Sequence, residues 1–269
     1  MHERERRLWL TLGVLGVVFA VIAVAATLVV THVVAPLVLR HSDGFPELAG
    51  VPKVTKNAKG VDGDPVNVAI IGSDSEIARA LRAAHWSRAE AVSRASSIGI
   101  ARSVLFNRPD STAPVSPLFL FGRAQDLAWE REVNGSARQR HHVRLWRVAS
   151  LSYRGRPVWI GDATYDLRAG ISHRGLHPTH HIAPDVDQER DTLTANLVSA
   201  GRVLSLFHVT GIGIRVNARN AEGDRYDTDG EMQALVLAPD DAIHPPPQPP
   251  ADPPLVAFKD RVWSWAHRH

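Results

Sequence analysis

Residues 139–148 read QRHHVRLWRV, and the alternation in that run decides the fold class. Successive side chains of an extended strand point to opposite faces. Gln139, His141, Val143 and Leu145 therefore share one face, and Arg140, His142, Arg144 and Trp146 share the other. The aliphatic pair turns the first face, with His141, toward a core. The second face, with His142, is the more polar one.

Outward from this run the chain keeps the same habit of short apolar segments bounded by turn residues. LFLF (118–121), DLAWE (126–130), PVWIGDATY (157–165), VLSLFHV (203–209) and MQALVL (232–237) all read as strands. VNVAII (66–71) is another, closed by Gly72. Ser73 and Glu76 then form a capping box for a helix in which Ile77, Ala80, Leu81 and Ala84 recur at helical spacing. Helix-forming residues return across 92–106, and Pro109, Pro114 and Pro117 forbid regular helix beyond them. Asp185 caps a last helix over 187–200, with Leu193 and Leu197 inward and Gly201 at its end. This order predicts an α+β domain, a mixed and largely antiparallel sheet with about three helices. The turn after 66–71 holds one glycine, so it is no phosphate-binding loop.

Leu8–Leu39 carries no charged residue and exceeds the roughly 20 apolar residues that cross a hydrocarbon core. It predicts one N-terminal transmembrane helix. The apolar run continues well past Ala23-Val24-Ala25, which argues against a cleaved signal peptide. Arg4, Arg6 and Arg7 outweigh Arg40, placing the N-terminus in the cytoplasm and the main domain outside. The expected organisation is a tip and membrane helix over 1–39, a tether over 40–63 and the α+β domain over 64–238. A proline-rich spacer over 239–254 and an amphipathic tail over 255–269 follow, the tail setting Val256, Val262, Trp263 and Trp265 among Lys259, Arg261 and Arg268.

The 31 basic and 28 acidic residues nearly balance, and no RNA- or DNA-binding motif occurs, so a nucleic-acid partner gains no support. The absence of cysteine rules out a disulfide or a thiolate metal site. Histidine is the outlier: of 14 in the chain, six lie between 141 and 181.

Ser172–Asp191, SHRGLHPTHHIAPDVDQERD, gathers His173, His177, His180 and His181 in a loop made irregular by Gly175 and Pro178. Neutral imidazole is the commonest metal ligand. His177, His180, His181 and His141, with Asp187 or Asp191 from one helix face, are the candidate ligands for a divalent ion such as zinc. The helix dipole favours acids in a first turn whatever their role, so Asp185 and Asp187 also have a plain structural reading. Metal-free acid–base work would fall to His141 or His181 with Asp185. Arg138, Arg140 and Arg144 would bind an anion. HExxH, GxSxG, Walker A and GxGxxG are absent.

Taken in order, TAPVSPLFLFGRAQDLAWE, RQRHHVRLWR, RPVWIGDATYD, THHIAPDVDQERD and GDRYDTDG resemble the LssY C-terminal domain family of bacteria over about residues 64–237. Arg138, Arg140, His141, His142, Thr179, His180, His181, Asp185, Asp187 and Asp191 match its pattern. The family is named for a component associated with type I secretion, and its domain is often joined to multi-pass DedA-like or phosphatidic-acid-phosphatase-like membrane domains. The resemblance implies envelope or lipid-phosphatase-type partners and carries over no catalytic residue. This chain departs in having one anchor, and His85 where a glycine commonly precedes the tryptophan.

Two functions follow. The first is a membrane-anchored accessory module in envelope or membrane-lipid processes. The second is a metal-dependent or His/Asp acid–base hydrolase of a phosphate- or lipid-like substrate, which requires His141 and the 177–181 histidines to meet in one pocket.

Overall fold

The computed structural model describes residues 3–29, 45–89, 117–133, 136–174 and 178–267. Two compact units divide the chain, Met1–Arg40 and His41–His269.

The first unit is helix α1 (Glu3–Val29), 27 residues long. Its apolar side chains, Leu15, Val17, Phe19 and Ile22 among them, are exposed. The hydroxyls of Thr11 and Thr27 donate back to the carbonyls of Arg7 and Ala23, which satisfies polar groups within an apolar helix. Among the described residues no helix is long and apolar enough to cross a membrane. Residues 30–39 of the expected span lie outside the described residues.

The second unit opens with a 3-10 turn (Pro46–Gly50), β1 (Val54–Lys56), β2 (Asp62–Pro65) and β3 (Val68–Ile71). Helix α2 (Asp74–Ala83) leads to β4 (Ser87–Arg88). The helix expected over 92–106 falls outside the described residues. Then come β5 (Phe119–Leu120), β6 (Arg123–Ala124), β7 (Leu127–Val133), β8 (Ser136–Tyr153) and β9 (Arg156–Ile171). β10 (Pro178–Ile182), α3 (Val186–Ser199), β11 (Val203–Thr210), β12 (Arg215–Arg219), β13 (Arg225–Thr228), β14 (Glu231–Leu237) and α4 (Pro254–Ala266) complete it.

The main sheet runs β11-β14-β3-β9-β8-β7-β4, with β10 on the outer reach of β9. Among the described strands only β14 and β3 pair in parallel, so the fold is α+β with largely antiparallel sheets. A smaller sheet runs β2-β1-β5-β6, and β12 and β13 form a separate ribbon. Alternation splits each main strand between two cores. Val68, Ile70, Val143, Leu145, Leu235 and Leu237 pack with Ile77, Leu81, Leu193 and Leu197 of α2 and α3. Ala69, Ile71, Trp146, Met232 and Ala234 pack on the other side, with Phe45, Leu48, Leu118 and Leu120. The sheet is therefore buried on both faces, which is why β3 reads as a continuous apolar run.

Local signals hold these elements in place. Ser73 and Glu76 make the reciprocal capping box of α2. The helix ends with Trp86 N–H bonded to Leu81 O and His85 N–H to Arg82 O, the two bonds of a Schellman cap. His85 sits there at φ 64, the left-handed position that favours glycine. Asp185 caps α3 by accepting from Gln188 N, and Leu193 and Leu197 are fully buried.

Two expectations are corrected. The tether over 40–63 is folded from residue 45 on: Leu48 is wholly buried, and β1 and β2 belong to the smaller sheet. Its strands are too short to show a period, and their partner β5 lies more than fifty residues away in sequence. The 178–182 stretch, expected as irregular loop, is strand β10, paired with β9 through Thr179–Gly170 and His180–Ala169. The pairing is that of a hairpin, Pro178 standing opposite Ile171, and proline is tolerated at the first position of a strand.

Candidate functional site

On the face of the main sheet away from α2 and α3, β8 offers Arg140, His142 and Arg144 at alternate positions. Their cross-strand partners on β9 are Asp166, Thr164 and Asp162. A row of Arg, His, Arg thus meets a row of Asp, Thr, Asp. Arg140 binds Asp166 at 2.9 Å and Glu130 of β7 at 2.8 Å. Arg144 binds Asp162 at 2.7 Å and lies 3.6 Å from Asp64 of β2. These groups are almost entirely removed from solvent. Burying a charge is tolerable only where it is paired and hydrogen-bonded.

His142 sits in the middle of the row. Its Nε2 is 3.1 Å from Arg144 Nη1, and a guanidinium only donates. Nε2 therefore accepts and the ring proton sits on Nδ1, 3.4 Å from Asp166 Oδ1. Burial pushes His142 down to about 4, against the pull of Asp166 and with Arg144 adding to the push. His142 is a neutral imidazole at neutral pH. For Asp166 burial opposes ionisation, yet His142, His180 and Arg140 beside it hold the carboxyl below its usual range. The other acids go the opposite way. Burial outweighs Arg140 and raises Glu130 to about 8. It outweighs Arg144 and raises Asp162 to about 7, and it raises Asp64 as well. Four carboxyls share two guanidiniums, and three of the four hold protons more tightly than usual.

Arg140, His142, Arg144 and Asp166 of this row form one wall of a cavity of about 80 Å³. Thr179 and His180 of β10 line it from one side, Asn220 and Glu222 from another, and Asn57 and Leu118 of the smaller sheet's region from a third. His180 faces the cavity with Nδ1 3.9 Å from Asp166 Oδ2. Asn220 donates to Asp64 at 2.9 Å and so fixes the 220–224 segment against β2. A volume of this size takes a small polar group or several waters, well below the 300 Å³ or so of a drug-sized site.

The remaining expected residues lie elsewhere. His141 is on the helix-covered face, its Nδ1 2.6 Å from Glu189 Oε2 of α3 and its ring against Tyr165 and Trp86. Burial raises Glu189 to about 7, opposed by that histidine. His181 bonds Asp224 at 2.6 Å. His141 and His181 share no partner, so the convergence that the hydrolase reading requires of this pair is not formed. Asp187 accepts from Thr228 Oγ1 and Asp229 N and pairs with Arg190, while burial lifts it to about 6. Asp191 binds Arg190 and Gln233. Both acids anchor α3 to the β13–β14 turn. Asp185 is the cap of α3, and Arg140 and Arg144 are already paired to carboxylates. Arg138 lies on β8, its side chain outside those described, and His177 is outside the described residues.

The expected ligands His141, His180, His181, Asp187 and Asp191 therefore fall into separate clusters among the described residues. Sequence reading missed Asp64, Glu130, Asp162, Asp166 and Asp224. Two of these, Asp162 and Asp166, had a signal: Arg140-x-His142-x-Arg144 and Asp162-x-Thr164-x-Asp166 have matching period-two charge patterns, the mark of paired strands.

An α+β domain with a small cavity walled by a buried Arg/His/Asp row is the class this geometry defines. The family model described as LssY C-terminus matches residues 48–232, and the chain belongs to that family. The match starts in the 3-10 turn and takes in the smaller sheet, in agreement with a domain that is folded from residue 45. No curated protein and no solved structure matches the chain.

Proposed function

We propose that the chain is a membrane-tethered accessory module of envelope or membrane-lipid processes, whose LssY-type domain holds a small polar group in the Asp166 cavity. The observation that carries the reading is the cavity wall. Arg140, His142, Arg144 and Asp166 line the cavity, and stability alone seldom favours burying such groups, because an apolar packing of the same volume is often as stable. Of the acids in the lining, Asp64 is raised and Asp166 lowered, and shifted acids in a cleft mark functional sites.

The tether is supported by the uncharged run Leu8–Leu39 and by the exposed apolar side chains of α1. A second surface supports it too. Helix α4 buries Val256 and docks Lys259 on Glu231 at 2.5 Å, while Leu255, Phe258, Val262 and Trp265 stay exposed along one side. That pattern suits a helix resting on a bilayer interface.

The full chain in washed membranes tests the tether: it stays in the pellet after alkaline carbonate, and deletion of residues 1–39 releases it. In nanodiscs, mass spectrometry of small molecules released on denaturation tests the cavity. A compound present with wild type and absent with Thr179→Tyr, which fills the cavity, supports the reading; identical profiles overturn it. One observation favours an acid–base hydrolase as second reading: His180 faces the cavity with the Asp166 carboxylate behind it. Turnover of a phosphoester, lost in Asp166→Asn, would establish that reading in place of the first.

A further inference from the structure

Beside the cavity, and independent of what it holds, lies a cluster with a different chemistry. His173, His181 and Asp224 each offer one ligand atom, and these atoms all lie within 4.8 Å of one another. We propose that these three residues bind a divalent metal ion of the zinc class, leaving at least one coordination position open to water or substrate.

The hydrogen bonds are those of a metal centre. His181 Nε2 is 3.1 Å from Ile171 O, so that nitrogen donates. A histidine that ligates through one nitrogen commonly donates its other N–H to a backbone carbonyl in this way. Nδ1 is thereby directed at Asp224 Oδ1, 2.6 Å away, and His173 Nε2 is 3.5 Å from the same oxygen. Tetrahedral ligands at zinc bond lengths stand about 3.3 Å apart. The ion would replace the proton shared by His181 and Asp224 with only a small widening of that contact.

The supporting shell is in place before any ion arrives. Asp224 Oδ2 accepts from Ile182 N at 3.3 Å, and Asp224 N donates to Asn220 Oδ1 at 2.9 Å. His173 N donates to Glu222 O at 3.0 Å, which ties the turn at 172–174 to the segment carrying Asp224. Two glycines make the room. A Cβ at Gly170 would meet the His181 ring at 2.7 Å, and one at Gly223, held at φ +88, would meet His173 Cβ at 2.8 Å. His181 and Asp224 are buried, whereas the His173 side chain is 52% exposed, which gives an ion a way in. Two imidazoles and a carboxylate with an open position are the donor set of catalytic rather than structural zinc, and they also suit iron(II) or manganese(II). The other three-acid grouping, Asp229, Glu231 and Asp260, is already neutralised by Lys259 and Arg190 and carries no such proposal.

The test uses the full chain, without a histidine tag, in detergent after chelator treatment. Titration with cobalt(II) should give one ion per chain with visible absorption bands of a four- or five-coordinate nitrogen/oxygen site, bleached by zinc. His173→Ala, at an exposed position, should weaken binding at least tenfold with an unchanged circular dichroism spectrum. Asp224→Asn should abolish the bands, and His244→Ala should leave them intact. Absence of stoichiometric binding by wild type, or equal binding by His173→Ala, overturns the proposal even if Asp224→Asn proves unfolded.

Discussion

The two faces of β8 and β9 are made by alternate residues of the same two strands, and they solve opposite problems. On the helix-covered face Val143, Leu145 and Ala163 are fully buried among the side chains of α2 and α3, and one polar pair, His141–Glu189, sits at its border. On the other face Arg140, His142, Arg144, Asp162, Thr164 and Asp166 are as deeply buried, yet every one is ionisable or polar. The first face gains from removing apolar area from water. The second spends desolvation energy and recovers it only through complete pairing. Stability explains the first; the ligand proposed above would explain the second.

Breaking one partner in the polar row should have the largest effect. Arg140→Ala leaves Glu130 and Asp166 without their shared cation and should cost about 3–5 kcal/mol, read from urea unfolding by tryptophan fluorescence. Replacing Arg144 by Met and Asp162 by Leu together should cost less than Arg144→Met alone, since the double variant strands no carboxylate on Asp162. Equal costs would mean that the row contributes like ordinary packing, and the contrast between the faces would fall.

A smaller effect is read by pH, to which Glu189 of the helix-covered face, raised to about 7, contributes in the same sense. Glu130 and Asp162 are raised to about 8 and about 7, so between pH 4.5 and 8 the folded state binds more protons than the unfolded one. Their stabilisation is complete below the unfolded values and is lost as pH rises through the folded ones. His142, lowered to about 4, acts in the opposite sense only below about 6.5. From pH 6.5 to 8.5 the unfolding midpoint should therefore fall, by an amount on the order of 1 kcal/mol. Glu130→Gln should flatten the fall, while Leu145→Ala should lower the whole curve without changing its shape. A midpoint that rises with pH over this range would contradict the assignment.

The smallest effect concerns the helix-covered face alone. His85→Gly relieves the left-handed backbone after α2 and should stabilise by up to about 1 kcal/mol, the glycine's extra freedom in the unfolded chain offsetting part of the gain. A thermal melt that shifts upward, with the same slope against pH as wild type, is the expected result.

Much of this was legible in residues. Period-two alternation in 139–148 assigned His141 and His142 to their faces, and Ser73, Glu76 and Asp185 announced their helices, because both signals are local. Asp185, offered as a catalytic acid by the same reading, has a cap's geometry. The histidines misled where they were grouped by proximity in sequence: His180 and His181 are neighbours, yet one meets Asp166 and the other Asp224. Adjacent residues of a strand point to opposite faces, a divergence that follows only once the stretch is known to be strand β10.

The sequence by itself determined the long strands of the main sheet, the caps, the family and the charge-free run at the N-terminus, since each depends on spacing within one segment. Tertiary structure alone decided which acid serves which base. Asp166 comes to Arg140 and His142 from the neighbouring strand, Asp64 to Arg144 from the smaller sheet, and Asp224 to His181 across more than forty residues. Burial then set the protonation of each, because a carboxyl's affinity for protons depends on the water and charge around it, which exist only once the strands have paired.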